Sequence, residues 1–268
     1  MPLSITTEII KELRDATGIS VMQCRHALEE AEGDMKKALA ILKKTSSDIA
    51  LKKGSREVKD GAVTIKLKDL PAQAGKKAVL VSLLCETDFV ARNEDFTTLL
   101  GKLADIALSK GLEKMKVLAK DLIDPIIQKT GENIQLGDAY EVSNKDKGYL
   151  GSYVHNNKIA VITSLEGGSA ELARDIAMHI AAMKPEYITS EEITPDTKQT
   201  ITEVFQKEIA LIDKPEEIKK KILDGKIGTY FKEKTLSEQA FIKDSGETVG
   251  HLLQKNKAKI KEIRQCSV

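Results

Sequence analysis

Along the first 45 positions, apolar residues recur three and four apart in three short blocks separated by turn residues. Ile9, Ile10 and Leu13 form the first block, with Thr6 or Thr7 placed to cap a helix and Gly18 to end it in the left-handed region. Ser20 and Gln23 have the spacing of a capping box for a second helix, with Val21, Cys24, Ala27 and Leu28 inward and Gly33 at its close. Asp34 can cap a third, which puts Met35, Ala38, Leu39 and Leu42 on one side. Helices this short bury little surface, so the pattern predicts a small module. From Thr45 to Asp60 the apolar period is lost, and the stretch reads as a polar, partly helical, mobile tether.

After Gly61 the period changes from helical to two. Ala62 to Leu67 alternates as a strand with one wet face, Leu70 to Lys77 reads as loop, and Ala78 to Cys85 is a continuous apolar run that predicts a buried strand. Asn93 can cap a following helix with Phe96, Leu99, Leu100, Leu103, Ile106 and Ala107 at helical spacing. The same order then recurs. Gly148 to His155 reads as a strand, Asn156-Asn157 as a tight turn and Ile159 to Leu165 as a buried strand. Past Gly167-Gly168-Ser169, a helix from Ala170 to Met183 carries Leu172, Ile176, Ile180 and Met183 in one stripe. Strand, strand, helix occurring twice predicts two similar halves and an internal duplication. Between Glu186 and Lys234 a thin apolar stripe on a charged background, turned at Asp213-Lys214-Pro215, predicts a helical hairpin. The fold class is α+β. Residues 1–54 are the three-helix module and tether, 55–140 the N-terminal half of the core and 141–268 its C-terminal half, with the hairpin over about 190–234 and a C-terminal segment over 235–268.

The length of 268 residues exceeds one ordinary domain, and 41% hydrophobic residues suffice for a core. Charge narrows the partners. A net charge of +1, with acidic and basic residues equal in number from Glu186 onward, argues against a phosphate-backbone partner. With no Trp, five Tyr and five Phe, stacking platforms for single-stranded bases are scarce. Only the last residues, from Lys255, form a small basic end. Cys24, Cys85 and Cys266 are odd in number and far apart, which suits a reducing compartment. The N-terminal residues Met1 to Ile5 lack the features of a signal or transit peptide, and the longest apolar stretch falls well short of the roughly 20 residues that cross a bilayer. The expectation is a cytoplasmic protein with neither nucleic-acid nor membrane partner.

Catalytic chemistry finds no footing in the chain. His26, His155, His179 and His251 are scattered without metal-ligand spacing. Gly75-Lys76-Lys77 lacks the first Gly and the Ser/Thr of a phosphate-binding loop, and Gly167-Gly168-Ser169 reads as an ordinary turn before a helix. No Ser, Thr or Cys sits in an activating context. No catalytic residue, metal site or cofactor is therefore expected, and the chain is not read as an enzyme. The unusual stretch is Glu86 to Asn93, between the buried strand and the amphipathic helix. Phe89 precedes Phe96 by seven residues, so one continuous helix would put both on the core face, and chain pattern favours that burial. The other reading is a presented tip, with an apolar anchor between Asp88 and Arg92.

Thr87-Asp88-Phe89-Val90-Ala91-Arg92-Asn93 resembles the TDFVARN signature of the elongation factor Ts family, guanine-nucleotide exchange factors of elongation factor Tu. Leu13 to Gly18 with Ala27 to Asp34, Asp175 to Pro185, and Glu238 to Asp244 resemble further blocks of that family in the same order. The resemblance implies a ubiquitin-associated-like N-terminal domain, a two-part α+β core and an inserted helical hairpin. It also implies that Thr87, Asp88, Phe89 and Val90 enter the nucleotide domain of elongation factor Tu beside its Mg²⁺, with Phe89 as wedge. Arg14, Asn93 and His155 are further implied contacts, whereas His179 is read as packed between strand and helix. The implied partner is elongation factor Tu, GDP-bound and nucleotide-free. The chain departs from the family pattern at Asn156-Asn157, where relatives often carry glycines, and at its C-terminus from Ile263 to Val268. Self-association through the hairpin is left open. The alternative reading is a helical adaptor that holds a partner through the N-terminal module without acting on nucleotide.

Overall fold

The computed structural model describes residues 5–70, 75–144, 148–212 and 214–268. The reading of Met1 to Ser4, the middle of the Leu70 to Lys77 loop and Asp213 of the hairpin turn lie outside the described residues.

Helices α1 (Thr7–Thr17), α2 (Val21–Glu30) and α3 (Met35–Lys53) form the N-terminal module. Their caps are the predicted ones: Thr6 accepts from the Ile9 N–H, Ser20 from the Gln23 N–H, and Asp34 from the Lys36 and Lys37 N–H groups. Leu13, Cys24, Ala27, Leu28, Ala38 and Leu42 make its core. Val21 and Leu39 are exposed instead of inward. Three short helices enclose a narrow seam: Val21 opens α2 at its outer end, and Ala38 and Leu42, four apart, fill the stripe of α3 beside which Leu39 falls.

The mobile tether is a correction. Helix α3 runs without a break to Lys53, and its second half lies on the core. Ser46 donates to the Leu42 carbonyl and to Gln128 Oε1, Ser47 donates to Asp124 Oδ2 at 2.8 Å, and Ile49 and Ala50 pack on the first core half. The serines that break the apolar period are contact residues, satisfied by the helix they touch.

The first core half is a three-stranded antiparallel sheet of β1 (Asp60–Asp69), β2 (Lys76–Cys85) and β3 (Gln135–Ser143), in that order. Between β2 and β3 come α4 (Asp88–Ala91), α5 (Glu94–Lys110) and α6 (Leu112–Thr130). The chain pattern assigned nothing to the region of α6 and β3. Pro125 reads as a helix breaker, yet α6 continues past it with Met115, Ala119, Ile123 and Ile127 in one buried stripe, and β3 is a half-buried edge strand with weak alternation.

The second half repeats the plan. Its sheet is β4 (Gly148–His155), β5 (Ile159–Glu166) and β8 (Lys259–Ser267), with α7 (Ala170–Met183) packed on β4 and β5. In each half a hairpin is followed by helices, and a last strand returns antiparallel to the hairpin's second strand. The small basic end is thus a sheet edge, with lysines outward and Ile260, Ile263 and Cys266 toward the interior.

The two sheets pack face to face. Val63, Ala78 and Leu80 meet Leu150, Ala160 and Ile162 in one cluster, while Val79, Val81 and Leu83 turn to α5 and α6, and Val161 and Leu165 to α7. Burial on both faces is why β2 and β5 read as continuous apolar runs. Gly151 of β4 lets α7 approach, because a Cβ there would strike the Ala173 carbonyl group. Helices α8 (Pro195–Ala210) and α9 (Glu216–Lys234) form the hairpin, and among the described residues of these two helices only Ile209 and Phe231 are buried. Strands β6 (Ala240–Phe241) and β7 (Asp244–Thr248) and helix α10 (Val249–Lys255) lead back to β8. Among the described residues no helix is long and apolar enough to cross a membrane.

Candidate partner-binding corner

Strand β2 leaves its sheet after the last ladder pairs, Asp60 with Cys85 and Leu84 with Gln135. Two residues later Thr87, extended at φ −134°, caps α4 and accepts from the Val90 N–H at 3.4 Å. Helix α4 is a single turn. Arg92 closes it, and Asn93, extended at φ −65° and ψ 141°, starts α5 by accepting from the Asp95 N–H at 2.8 Å. The break at Arg92 and Asn93 overturns the burial of Phe89 expected from its spacing to Phe96. Phe96 is fully buried and Phe89 is 83% exposed. Left in water, an aromatic side chain forgoes about 2 kcal/mol of burial, and the corner holds it there while Val90 packs against the core and Ala91 is buried in it. The Asp88–Arg92 ion pair beside it, at 3.2 Å, is open to solvent and adds little rigidity.

A carboxylate from far along the chain grips the corner. Glu132, in the turn after α6, accepts from the Glu86 N–H at 3.1 Å, the Thr87 N–H at 3.0 Å and the Thr87 hydroxyl at 2.6 Å. In return the Glu86 carboxylate accepts from the Asn133 N–H at 2.7 Å, and Asn133 donates through its side chain to the Arg56 carbonyl at 2.6 Å. The Asn133 bond holds the Glu86 carboxyl below the usual carboxylate range, against slight burial and with help from Arg56. Nothing in the local sequence singled out Glu132 or Asn133, because a bond spanning 45 positions leaves no periodic trace.

His155 ends β4 at the same end of the molecule. The three-residue loop beyond it, between the paired His155 and Ile159, places Asn156 at φ 49° and Asn157 at φ 56°, both in the left-handed region that Asn tolerates. Lys158, the next residue, bonds the Asp60 carboxylate and donates to the Gly61 carbonyl at 2.7 Å, and the Val63 N–H donates to the Asn157 carbonyl at 2.8 Å. Since Asp60 pairs with Cys85, the His155 hairpin stands beside the root of the corner. Burial raises the Asp60 carboxyl pKa, but the Lys158 and Gly61 bonds outweigh it and the pKa is lowered. His155 itself is exposed, with Nδ1 3.1 Å from the Tyr153 hydroxyl.

Arg14 lies in the last turn of α1, exposed. Its module reaches the core at Gly18, where an added Cβ would come within 2.8 Å of Lys129 Nζ, and Lys129 pairs with Asp95 in the first turn of α5. His179 is elsewhere and fully buried, with Nε2 2.9 Å from Gln239 Oε1 and Nδ1 accepting from the Ile242 N–H at 3.2 Å. Cys85, at the root of the corner, has its thiol pushed up to about 12 by burial, so it is neutral and inert. Among the described residues no group of three or more His, Cys, Asp or Glu could hold a metal ion.

A family model described as elongation factor TS matches residues 86–268, starting at the first residue of this corner. The chain belongs to the elongation factor Ts family. A UBA-like domain model matches residues 5–42, the three-helix module. Among relatives, the elongation factor Ts of Hahella chejuensis is 38% identical over 262 residues, covering 96% of this chain and 89% of its own length. Those of Thioalkalivibrio sulfidiphilus and Arthrospira platensis are 36% and 37% identical, covering 99% and 90% of this chain and 92% and 99% of their own lengths. The family model takes in the corner, α5, α6, β3, the second core half and the hairpin, and the relatives align over 90–99% of the chain, so elongation factor Ts family membership extends well beyond the corner motif.

Proposed function

We propose that this chain binds elongation factor Tu in its GDP-bound and nucleotide-free states and promotes release of GDP, so that GTP can bind. Family membership supports the partner, and Phe89 carries the mechanism: a large apolar side chain is held in water on a corner that the core braces. Such anchors supply much of the energy of an interface.

GDP is gripped through its phosphates and a bridging Mg²⁺ of the partner. Phe89 entering an apolar slot beside that metal, with Asp88 next to it, moves the metal's ligands and weakens nucleotide and metal together. Reciprocity requires nucleotide to weaken the exchange factor by the same factor, so neither traps the partner. Thr87 and Val90 hold the wedge at its two ends, Asn93 fixes the start of α5, and His155 and Arg14 add contact area on flanking surfaces. No bond is made or broken, so the chain acts without enzyme chemistry or a cofactor of its own.

Replacing Phe89 with Ala removes a central anchor, which costs about 2 kcal/mol or more and corresponds to about thirtyfold in rate. Stopped-flow release of fluorescent GDP from elongation factor Tu is expected to slow by about that factor with Phe89→Ala. Wild-type rates with a correctly folded variant would sink the wedge.

A further inference from the structure

Helix α4 is one turn long, and a helix that short has no stability of its own. Whatever keeps Phe89 in one place must come from the residues around α4. On the far side Ala91 is buried in the core. On the near side the chain has left both neighbouring strands, so the Glu86 and Thr87 N–H groups have no ladder partner. Both are taken by Glu132 Oε2, while Oε1 takes the Thr87 hydroxyl, so one carboxylate closes three bonds at the point where the strand becomes the corner. Hydrogen bonds to an ionised acceptor are about twice as strong as neutral ones.

The turn that carries Glu132 is itself held. Gly131 adopts φ 80° and donates to the Ile127 carbonyl, ending α6 so that Glu132 faces the corner. Asn133, 1% exposed, is bonded by both main chain and side chain. Lys53, at the end of α3, donates to the Gly131 carbonyl. A rigidly held acceptor of this kind fixes geometry that a surface ion pair such as Asp88–Arg92 cannot.

We propose that Glu132 is the positioning residue of the exchange corner: its carboxylate replaces the missing strand partner of Glu86 and Thr87 and thereby sets where Phe89 projects. The inference rests on the proposed function for its effect on exchange, and on the hydrogen bonds alone for its effect on the corner. Glu132→Ala removes all three bonds. Glu132→Gln keeps an acceptor for the two N–H groups and an amide that the Thr87 hydroxyl can accept from, so it should rescue. Glu132→Asp keeps the charge but is one methylene short.

The test uses the full chain and two readouts. Amide hydrogen exchange at Glu86, Thr87, Val90 and Ala91 is expected to speed up by about tenfold or more in Glu132→Ala, with amides of α5 from Leu99 to Ala107 unchanged. In GDP release from elongation factor Tu, the maximal stimulated rate is expected to fall about tenfold while the half-saturating concentration changes less than about threefold, because the rest of the surface still docks. Glu132→Gln, which keeps the bonds but not the charge, should restore the larger part of both. Unchanged exchange at the corner, or loss of protection throughout α5, overturns the proposal. If Glu132→Ala does not fold, Glu132→Asp carries the same comparison, with several-fold effects expected in the same direction. If the wild-type chain stimulates no GDP release, the functional reading fails, and the amide measurement still decides whether Glu132 sets the corner.

Discussion

Phe89 and Phe96 lie seven residues apart, the spacing that puts two side chains on one helix face, yet one is in water and the other fully buried. Two residues decide this, Arg92 closing α4 and Asn93 capping α5, and a capping Asn is visible in the sequence while the interruption before it is not. His179 is fully buried on α7, and its partners Gln239 and Ile242 come from 60 and 63 residues away, where no local pattern names them. Burial lowers the His179 pKa below the ordinary 6.5, with the Gln239 bond opposing. A depressed histidine stabilises the fold fully above its unfolded pKa, and that contribution is lost as pH falls from about 6.5 through the folded value, because the unfolded chain binds the proton first. The stability advantage of the wild type over His179→Gln is therefore expected to shrink between pH 7.5 and pH 5.5, measured as the difference in urea midpoints. A gap that stays constant or widens on acidification would contradict the buried neutral ring.

At the scale of elements, helix and strand identity followed from periodicity wherever one face was plainly apolar. It failed for α6, where Pro125 reads as a helix breaker, and for the edge strands β3 and β8, whose alternation is diluted by half-exposed positions. Packing between elements was invisible. Gly151 looked like any strand glycine, but the Ala173 carbonyl occupies the space of its missing Cβ. Gly151→Val should push α7 off β4, at about 2–3 kcal/mol, and lower the thermal midpoint by roughly 5–10 °C. Gly101, inside α5, has nothing within 4 Å of an added Cβ, so Gly101→Ala should gain about 0.5–1 kcal/mol from helix propensity alone. Differential scanning calorimetry of the two variants separates a packing glycine from a free one.

Across the whole molecule, α3 belongs to two bodies. Its first half completes the N-terminal module, and its second half covers α6 through Ser46, Ser47, Ile49 and Ala50. Its last residues also reach the turn that grips the corner, since Lys53 bonds Gly131 and the Gly54 carbonyl accepts from Gln135 at 3.3 Å. Removing residues 1–54 therefore strips a layer from the core as well as a module from the chain. A chain starting at residue 55 is expected to lose about 2 kcal/mol of core stability, or about 5 °C in thermal midpoint, relative to one starting at residue 34 that keeps α3 and its cap. Equal midpoints would mean that the second half of α3 adds nothing to the core.

The sequence by itself determined the α+β class, the helical module, the two hairpins and most caps, and it marked Glu86 to Asn93 as the unusual stretch, because each of these depends on neighbours within a turn or two. Only the tertiary structure decided that Phe89 points into water, that the apparent tether is a docked helix, that the basic end is a strand, and that Glu132 holds the corner. Those outcomes depend on groups tens of residues apart meeting in space, where a hydrogen bond or a filled gap is set by the whole fold and leaves no period in the chain.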